Sequence, residues 1–294
     1  MVAKNIHKKH TITARGSQSF ARGFISKIER EIPSLDLISL LSYRQEKPMA
    51  YIKTVCKAGR TKIIRKYYCY HAQPRGQSRA PKGKETCESQ KKVNDRQLEQ
   101  KLTALMNHNC NKDWWYVTWS YAPEHRPSSP EVLHKQIAKL LRDLRRTYKK
   151  HNTILKYFWT PEVGSRGAAH IHMVISPIDL KLIRDLWPYG WTTIKPMERS
   201  GQYSRLASYF IKYFQKTRGT DAALCKKAYN TSKNLLRPPE TKRKMKGNRF
   251  DRSVTIPAGW YLDKSAYPEG DGIKYGVTGD GYEYMYYILV REGG

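Results

Sequence analysis

The pattern of apolar and polar positions is clearest in residues 157–176, which read YFWTPEVGSRGAAHIHMVIS. Two apolar runs flank a turn that carries Glu162 and two glycines, so the pattern predicts two strands joined by that turn. Successive side chains of a strand point to opposite faces, and His170 and His172 therefore project from one face. The other face carries the apolar residues Ile171, Met173 and Ile175. Such a strand has an apolar core behind it and a polar working surface in front.

The neighbouring segments predict a further strand and two helices. Residues 114–121, WWYVTWSY, are aromatic and β-branched, which is typical of a strand. A helix is predicted to begin at Ser129, whose hydroxyl can cap it, with Pro130 at the first helical position. One apolar stripe follows at helical spacing: Leu133, Ile137, Leu140, Leu141, Leu144 and Tyr148. Apolar residues at the same spacing in residues 203–216, YSRLASYFIKYFQK, predict a second helix.

Weaker patterns extend the prediction along the chain. Before the first of these strands they indicate a hairpin over residues 55–70, a basic loop over 71–92 and a helix over 93–108. After the histidine strand they indicate a short helix over 179–186, a strand over 190–194 and a β-rich segment over 254–294. The mixture of helices and strands predicts an α+β fold.

The charge balance indicates a polyanionic partner. Lys and Arg number 55 against 25 Asp and Glu, which gives a net charge of +30. A field of this size attracts phosphates and releases their counterions, so nucleic acid is the first-choice partner. The chain shows neither a long apolar span nor a secretory signal, so we expect no membrane partner and a cytoplasmic location. Its 5 cysteines contain no C-x-x-C pair, which argues against a disulfide framework or a zinc module.

The paired histidines are candidates for a metal site. A lone histidine is usually an ordinary surface or core residue, but two at i and i+2 beside a glycine-containing turn favour metal binding. Glu162 is a candidate third ligand at the end of the preceding strand, with a surface salt bridge as its alternative role. Mixed imidazole and carboxylate ligands with open positions suit Mg²⁺ or Mn²⁺ acting on a phosphate oxygen, and Zn²⁺ remains open.

Tyr209 and Tyr213 are candidate nucleophiles on the second helix. They lie one turn apart, so both phenols leave the same helix face, and Lys212 and Lys216 lie beside them. A phenol that attacks a metal-bound phosphodiester yields a covalent phosphotyrosine and a free sugar hydroxyl. Packing within the helix is the ordinary alternative for both rings.

The order of three segments resembles the HUH endonuclease superfamily, in which two histidines flank a hydrophobic residue. The segments are WWYVTWSY, RGAAHIHMVIS and ASYFIKYFQK. More narrowly, they are similar to those of the rolling-circle replication initiator (Rep) proteins of bacterial phages and plasmids. The resemblance extends loosely from about Tyr51 to about Glu240. H-x-H alone is a weak motif, but three motifs in this order at compatible spacing are specific.

The resemblance implies a metal-bound nicking domain built on a central antiparallel β-sheet flanked by helices. This domain is assigned to residues 111–220, between a basic, partly flexible N-terminal region (1–110) and a basic, β-rich C-terminal extension (221–294). By position, the metal ligands are Glu162, His170 and His172, and the nucleophile is Tyr209 in a Y-x-x-K motif with Lys212. Arg166 and Lys216 are assigned to DNA contact. Some phage initiators use a Y-x-x-x-Y pair, so Tyr213 is either a second nucleophile or a packing residue.

The resemblance also implies the partners and the reaction. A Rep protein cuts single-stranded DNA at a replication origin and remains attached to the 5′ phosphate. No G-x-x-x-x-G-K-[ST] motif occurs in the chain, so a helicase and a polymerase of the host are expected as partners.

Other functions stay open at this point. A plasmid-mobilisation relaxase or a single-strand transposase would share the metal and the tyrosine. Relaxases commonly place the tyrosine before the histidine motif, whereas here it follows. A non-catalytic nucleic-acid-binding protein would need only the charge of the chain, and indifference to EDTA would distinguish it.

Overall fold

A computed structural model describes residues 50–69, 86, 88–164, 168–218, 224–225, 227–245, 250–278 and 281–293. Within these residues the helices are α1 (Glu88–Asn109), α2 (Pro130–Lys150), α3 (Lys181–Arg184) and α4 (Ser204–Thr217). The strands are β1 (Ala50–Ala58), β2 (Thr61–Cys69), β3 (Trp115–Tyr121), β4 (Tyr157–Val163), β5 (Ala169–Ile175), β6 (Gly190–Pro196), β7 (Asn230–Thr231), β8 (Glu240–Lys244), β9 (Trp260–Leu262), β10 (Ile273–Val277) and β11 (Glu283–Arg291). The predicted α+β class is confirmed.

One antiparallel sheet contains the histidine strand, and we call it the site sheet. Its strand order is β6-β3-β5-β4-β7. All of its paired neighbours run antiparallel. The histidine strand β5 thus lies at the centre, with β3 on one side and β4 on the other.

One face of the site sheet is covered by helix α2. Ser129 caps this helix, because its hydroxyl oxygen accepts a hydrogen bond from the backbone N–H of Val132. All residues of the predicted apolar stripe are buried, in one core with Val117, Trp119, Ile171 and Met173 of the sheet. Burial of this stripe, rather than helix propensity, is what stabilises α2.

The opposite face is covered along only part of its length. Phe158 of β4 and Val174 of β5 are fully buried in a second core with Ala207 and Phe210 of α4. Leu102 of α1 belongs to the same core. Helix α4 thereby lies over the end of the face that holds Phe158, and the histidine end is left accessible at its margin.

A second antiparallel sheet, the terminal sheet, joins the two ends of the described chain. Its order is β10-β11-β2-β1-β8, and β9 also pairs with β11. The hairpin predicted over residues 55–70 is confirmed as β1 and β2. Its partners come from residues 240–291, a pairing that no local pattern predicts.

Some predicted boundaries differ from the structure. The basic loop predicted over 71–92 is wrong for residues 88–92, which form the start of α1. Glu88 in the first turn favours the helix dipole and pairs with Lys91. Residues 70–85 and most of the N-terminal region lie outside the described residues. No helix in the described part of the chain is long and apolar enough to cross a bilayer.

Candidate functional site

Strand register brings the three predicted metal ligands onto one face of the site sheet. Glu162 on β4 lies directly opposite His170 on β5, and Thr160 lies opposite His172. The carboxylate of Glu162 reaches the second histidine, with its Oε2 2.9 Å from His172 Nε2. A short connection between β4 and β5 produces this pairing, since it fixes which residues face each other.

Strand β3 holds the far side of both imidazoles. Ser120 Oγ lies 3.0 Å from His170 Nδ1, and Tyr116 OH lies 2.7 Å from His172 Nδ1. Thr118 Oγ1 is also close to His172 Nδ1, at 3.3 Å. The Tyr116 ring stacks parallel to the imidazole of His172, with centroids 5.9 Å apart. These contacts fix the ring orientations and direct each Nε2 toward the open side of the face.

Helix α4 brings Tyr209 onto this cluster. Its hydroxyl donates a short hydrogen bond to Glu162 Oε2 and lies 3.0 Å from His172 Nε2. The phenol meets the imidazole edge-on, with ring centroids 5.1 Å apart. Phe210, next in the chain, is fully buried and anchors the helix against the sheet. The anchor sets where the phenol lies, so the contact follows from core packing.

Partial burial determines the charge state of the cluster. Burial lowers the pKa of His172 and of His170, although Glu162 opposes the shift in both cases. Both imidazoles are therefore neutral at pH 7 and can offer a lone pair. Burial also raises the pKa of Tyr209, and its hydrogen bond to Glu162 adds to the shift. The phenol needs a proton acceptor before it can act as a nucleophile, and Glu162 and His172 are in contact with it.

The donor types fit a divalent metal, but the side chains need to move to hold one. Among the described residues, no three His, Cys, Asp or Glu side chains converge closely enough to ligate an ion as they stand. The hydroxyl of Tyr209 contacts both Glu162 and His172, so a shared ion would take its place between them. Gly164 leaves the other nitrogen accessible, because a Cβ there would lie 3.2 Å from His170 Nε2.

The remaining predicted site residues lie around this cluster or outside the described residues. The backbone of Val163 hydrogen-bonds to the hydroxyl of Tyr213, one turn after Tyr209, and burial raises the pKa of that phenol. Lys212 and Lys216 are exposed on α4. Arg166 lies outside the described residues. Whether Tyr213 reacts stays a prediction.

Sequence reasoning missed the residues of β3 and a nearby arginine. Tyr116, Thr118 and Ser120 alternate with the buried Val117, Trp119 and Tyr121, so the period-2 pattern in WWYVTWSY carried the signal. Which strand they would face was decided only by the pairing of β3 with β5. Arg126 acts electrostatically on His170, which lies far from it in sequence, and no local pattern marks this contact.

Comparison with known proteins supports a role in replication. The model of the family described as Replication-associated protein ORF2 matches residues 114–218, the segment that runs from β3 to the end of α4. No curated protein and no solved structure gives a significant match to the chain. The matched segment contains the histidines, Glu162 and both candidate tyrosines. The chain is therefore similar, over the segment that builds its candidate site, to replication-associated proteins, and this similarity supports a replication initiator.

Proposed function

We propose that this protein is a site-specific endonuclease and strand transferase that nicks single-stranded origin DNA and starts rolling-circle replication. The observation that carries the proposal is the contact of the Tyr209 hydroxyl with both Glu162 and His172. A phenol on a helix is ordinarily a packing residue. Here it meets a carboxylate and an imidazole on an open sheet face, in a segment similar to replication-associated proteins.

Glu162, His170 and His172 are the residues that would hold a divalent metal, Mg²⁺ or Mn²⁺. A bound ion of this kind polarises a phosphate oxygen and offsets the negative charge that develops during phosphoryl transfer. Hydrogen bonds from β3 hold both imidazoles in fixed orientations, so little ordering remains when the ligands are recruited.

Tyr209 is the proposed nucleophile. Its phenolic proton passes to the carboxylate of Glu162 or the imidazole of His172, both of which it contacts, and the oxygen attacks the phosphorus. The new Tyr–O–P bond replaces the bond from phosphorus to the 3′ oxygen, which takes up a proton and leaves as a free hydroxyl. The phosphoester is conserved, so a 3′ hydroxyl can later attack the phosphotyrosine and rejoin a strand. Lys212, one turn along the exposed side of α4, is placed to neutralise phosphate charge.

The charge of the chain would hold the substrate. A net charge of +30 attracts single-stranded DNA through its phosphates, and a helicase and polymerase of the host would supply unwinding and synthesis.

The test is the formation of a covalent adduct. Wild type, Tyr209→Phe, Tyr213→Phe and the control Tyr261→Phe are incubated with single-stranded oligonucleotides from DNA neighbouring the gene, with Mn²⁺ or with EDTA. Tyr261 is an exposed tyrosine on β9 in the terminal sheet, so its variant controls for loss of a phenol elsewhere. Denaturing gels then separate free protein from protein linked to DNA.

We expect an adduct in wild type and Tyr261→Phe that requires Mn²⁺ and is lost in Tyr209→Phe. The Tyr213→Phe lane counts the nucleophiles, because a second reactive tyrosine would leave partial activity in each single variant. An adduct that persists in Tyr209→Phe would reject Tyr209 as the nucleophile. Binding without any adduct, unaffected by EDTA, would identify a non-catalytic nucleic-acid-binding protein instead.

A further inference from the structure

Trp191 is a large apolar side chain left in solvent on strand β6. Its exposed fraction is 62%, although tryptophan is usually among the most deeply covered residues. Strand β6 is the edge strand of the site sheet and pairs with β3 within the described residues. A flat aromatic ring at the edge of a sheet calls for an explanation other than packing.

Register places Trp191 on the same face as the candidate site. Trp191 lies opposite Ser120, which in turn lies opposite His170, and His170 lies opposite Glu162. Directly paired residues of an antiparallel sheet project from the same face. These residues therefore form one cross-strand row, from the candidate metal ligands to the open edge.

The other side chains of β6 agree with this orientation. Ile194 packs against the core under α2, and Thr192 Oγ1 donates to the carbonyl of Arg184 on α3. Both belong to the opposite face, so Trp191 and Lys195 point to the site face. With strands ~4.8 Å apart, Trp191 is about 10 Å from His170 across β3.

Positive charge borders the row on this face. Lys195 lies opposite Tyr116, the residue that contacts His172 Nδ1. Arg126 is exposed and acts electrostatically on His170. An exposed aromatic ring flanked by cations matches the chemistry of single-stranded nucleic acid, whose bases stack and whose phosphates attract cations.

We propose that Trp191 is a stacking platform for a base of the single strand that flanks the scissile phosphate, with Lys195 as a phosphate contact. This inference rests on the proposed function, since it assigns the substrate a path across the same face. Every base has a flat π face, so the platform orients the strand without selecting its sequence. Its role is to hold the flanking nucleotide while Tyr209 meets the phosphate.

Binding of oligo-dT tests the platform independently of cleavage. Fluorescence anisotropy with a labelled oligo-dT is measured in EDTA for wild type, Trp191→Ala, Trp191→Phe and Ile154→Ala. Loss of a stacked base should weaken binding by Trp191→Ala roughly 5- to 150-fold, and the ring kept in Trp191→Phe should restore most of the affinity. Ile154 is an apolar residue with an exposed fraction of 70% outside the site, so its variant should bind like wild type.

The salt dependence separates stacking from charge. Trp191→Ala should lower the affinity at every salt concentration without changing the slope of log K against log[salt]. Lys195→Gln should reduce that slope by about 0.7, the value for one phosphate contact on a single strand. Circular dichroism of each variant checks that the fold is retained, and Trp191→Thr repeats the test with a residue that favours strands.

A second readout places the platform at the reaction centre. Oligonucleotides that form the adduct are remade with one abasic position at a time around the cut. At the stacked position, Trp191→Ala should cause no further loss of adduct formation, because the base it contacts is already missing. Independent losses at every position would overturn the assignment.

The outcomes distinguish this inference from the proposed function. Adduct formation together with wild-type binding by Trp191→Ala and Trp191→Thr would reject the platform and leave the nuclease standing. The expected loss of oligo-dT binding without any adduct would support the platform and reject the nuclease. If Trp191→Ala only converts a dimer into a monomer on sedimentation, with oligo-dT affinity unchanged, the edge strand is a self-association surface and the platform is rejected.

Discussion

Removal of the Tyr116 hydroxyl tests how the histidine cluster is held. Tyr116→Phe keeps the ring that stacks on His172 and deletes only the hydroxyl, 2.7 Å from His172 Nδ1. Burial raises the pKa of Tyr116 to about 12, so the phenol is neutral throughout the pH range of a nicking assay. The variant therefore removes one neutral hydrogen bond and no charge.

The size of the effect follows from the contacts around Nδ1. Loss of a partner that orients a ligating histidine typically lowers metal affinity by about 10- to 100-fold. Thr118 Oγ1 lies 3.3 Å from the same nitrogen and can take over part of the contact. We therefore expect the lower end for Tyr116→Phe, about tenfold or ~1.4 kcal/mol, and a larger loss when Thr118→Val is added.

The assay is the nicking rate as a function of Mn²⁺ concentration. Half-saturation should move to about tenfold higher Mn²⁺, while the rate at saturation changes little, because the hydroxyl positions a ligand and does not touch the phosphate. Tyr121→Phe is the matched control on the same strand. Its hydroxyl donates to Gln136 on the opposite face, and its loss should leave the Mn²⁺ dependence unchanged.

One result would refute this reasoning. If Tyr116→Phe lowers the rate at saturating Mn²⁺ and leaves half-saturation where it was, the hydroxyl acts on the chemical step. A change of equal size in Tyr121→Phe would point to a general loosening of β3.

Two further predictions concern the fold. Leu144→Ala should lower the free energy of unfolding in urea by ~2–5 kcal/mol, because the side chain is fully buried between α2 and the site sheet. The exposed Lys135→Ala on the same helix should change it by less than ~0.5 kcal/mol, and equal effects would contradict the packing assigned to α2. The hydrogen bond from the buried Lys66 ammonium holds the pKa of Asp251 at about 2, below its ordinary 3.8. This contribution to stability is present above pH ~4 and is lost as pH falls toward 2, so acid unfolding followed by circular dichroism should be less steep in Asp251→Asn than in wild type. The same steepness in both proteins would show that the pair does not stabilise the fold.

Local elements were readable from the sequence because their signals are local. The spacing of Leu133 to Tyr148 requires one helix face to be apolar, and Ser129 with Pro130 marks where that helix begins. Alternation in residues 169–175 puts His170 and His172 on one face of a strand whatever lies beside it. The H-x-H motif and the tyrosine helix could therefore be named as candidate chemistry before any fold was known.

The terminal sheet shows what local patterns lack. Residues 50–69 and 240–291 pair although nearly the whole site sheet lies between them in the chain. Strands at such a separation are chosen by which apolar faces can be buried together, and many registers satisfy the same alternation. A division of the chain into consecutive regions does not reveal this pairing.

The composition of the site was decided by the tertiary structure. The sequence by itself determined that Glu162, His170, His172 and Tyr209 exist at suitable spacings on a turn, a strand and a helix. Strand register then chose Ser120 and Tyr116 as partners of the imidazoles and aligned Trp191 with them. Burial of Phe210 and Ala207 set α4 at the height where the Tyr209 hydroxyl meets Glu162. The physical reason is that side-chain direction repeats over two to four residues, whereas the neighbours across a sheet or beneath a helix are fixed only when distant apolar surfaces pack together.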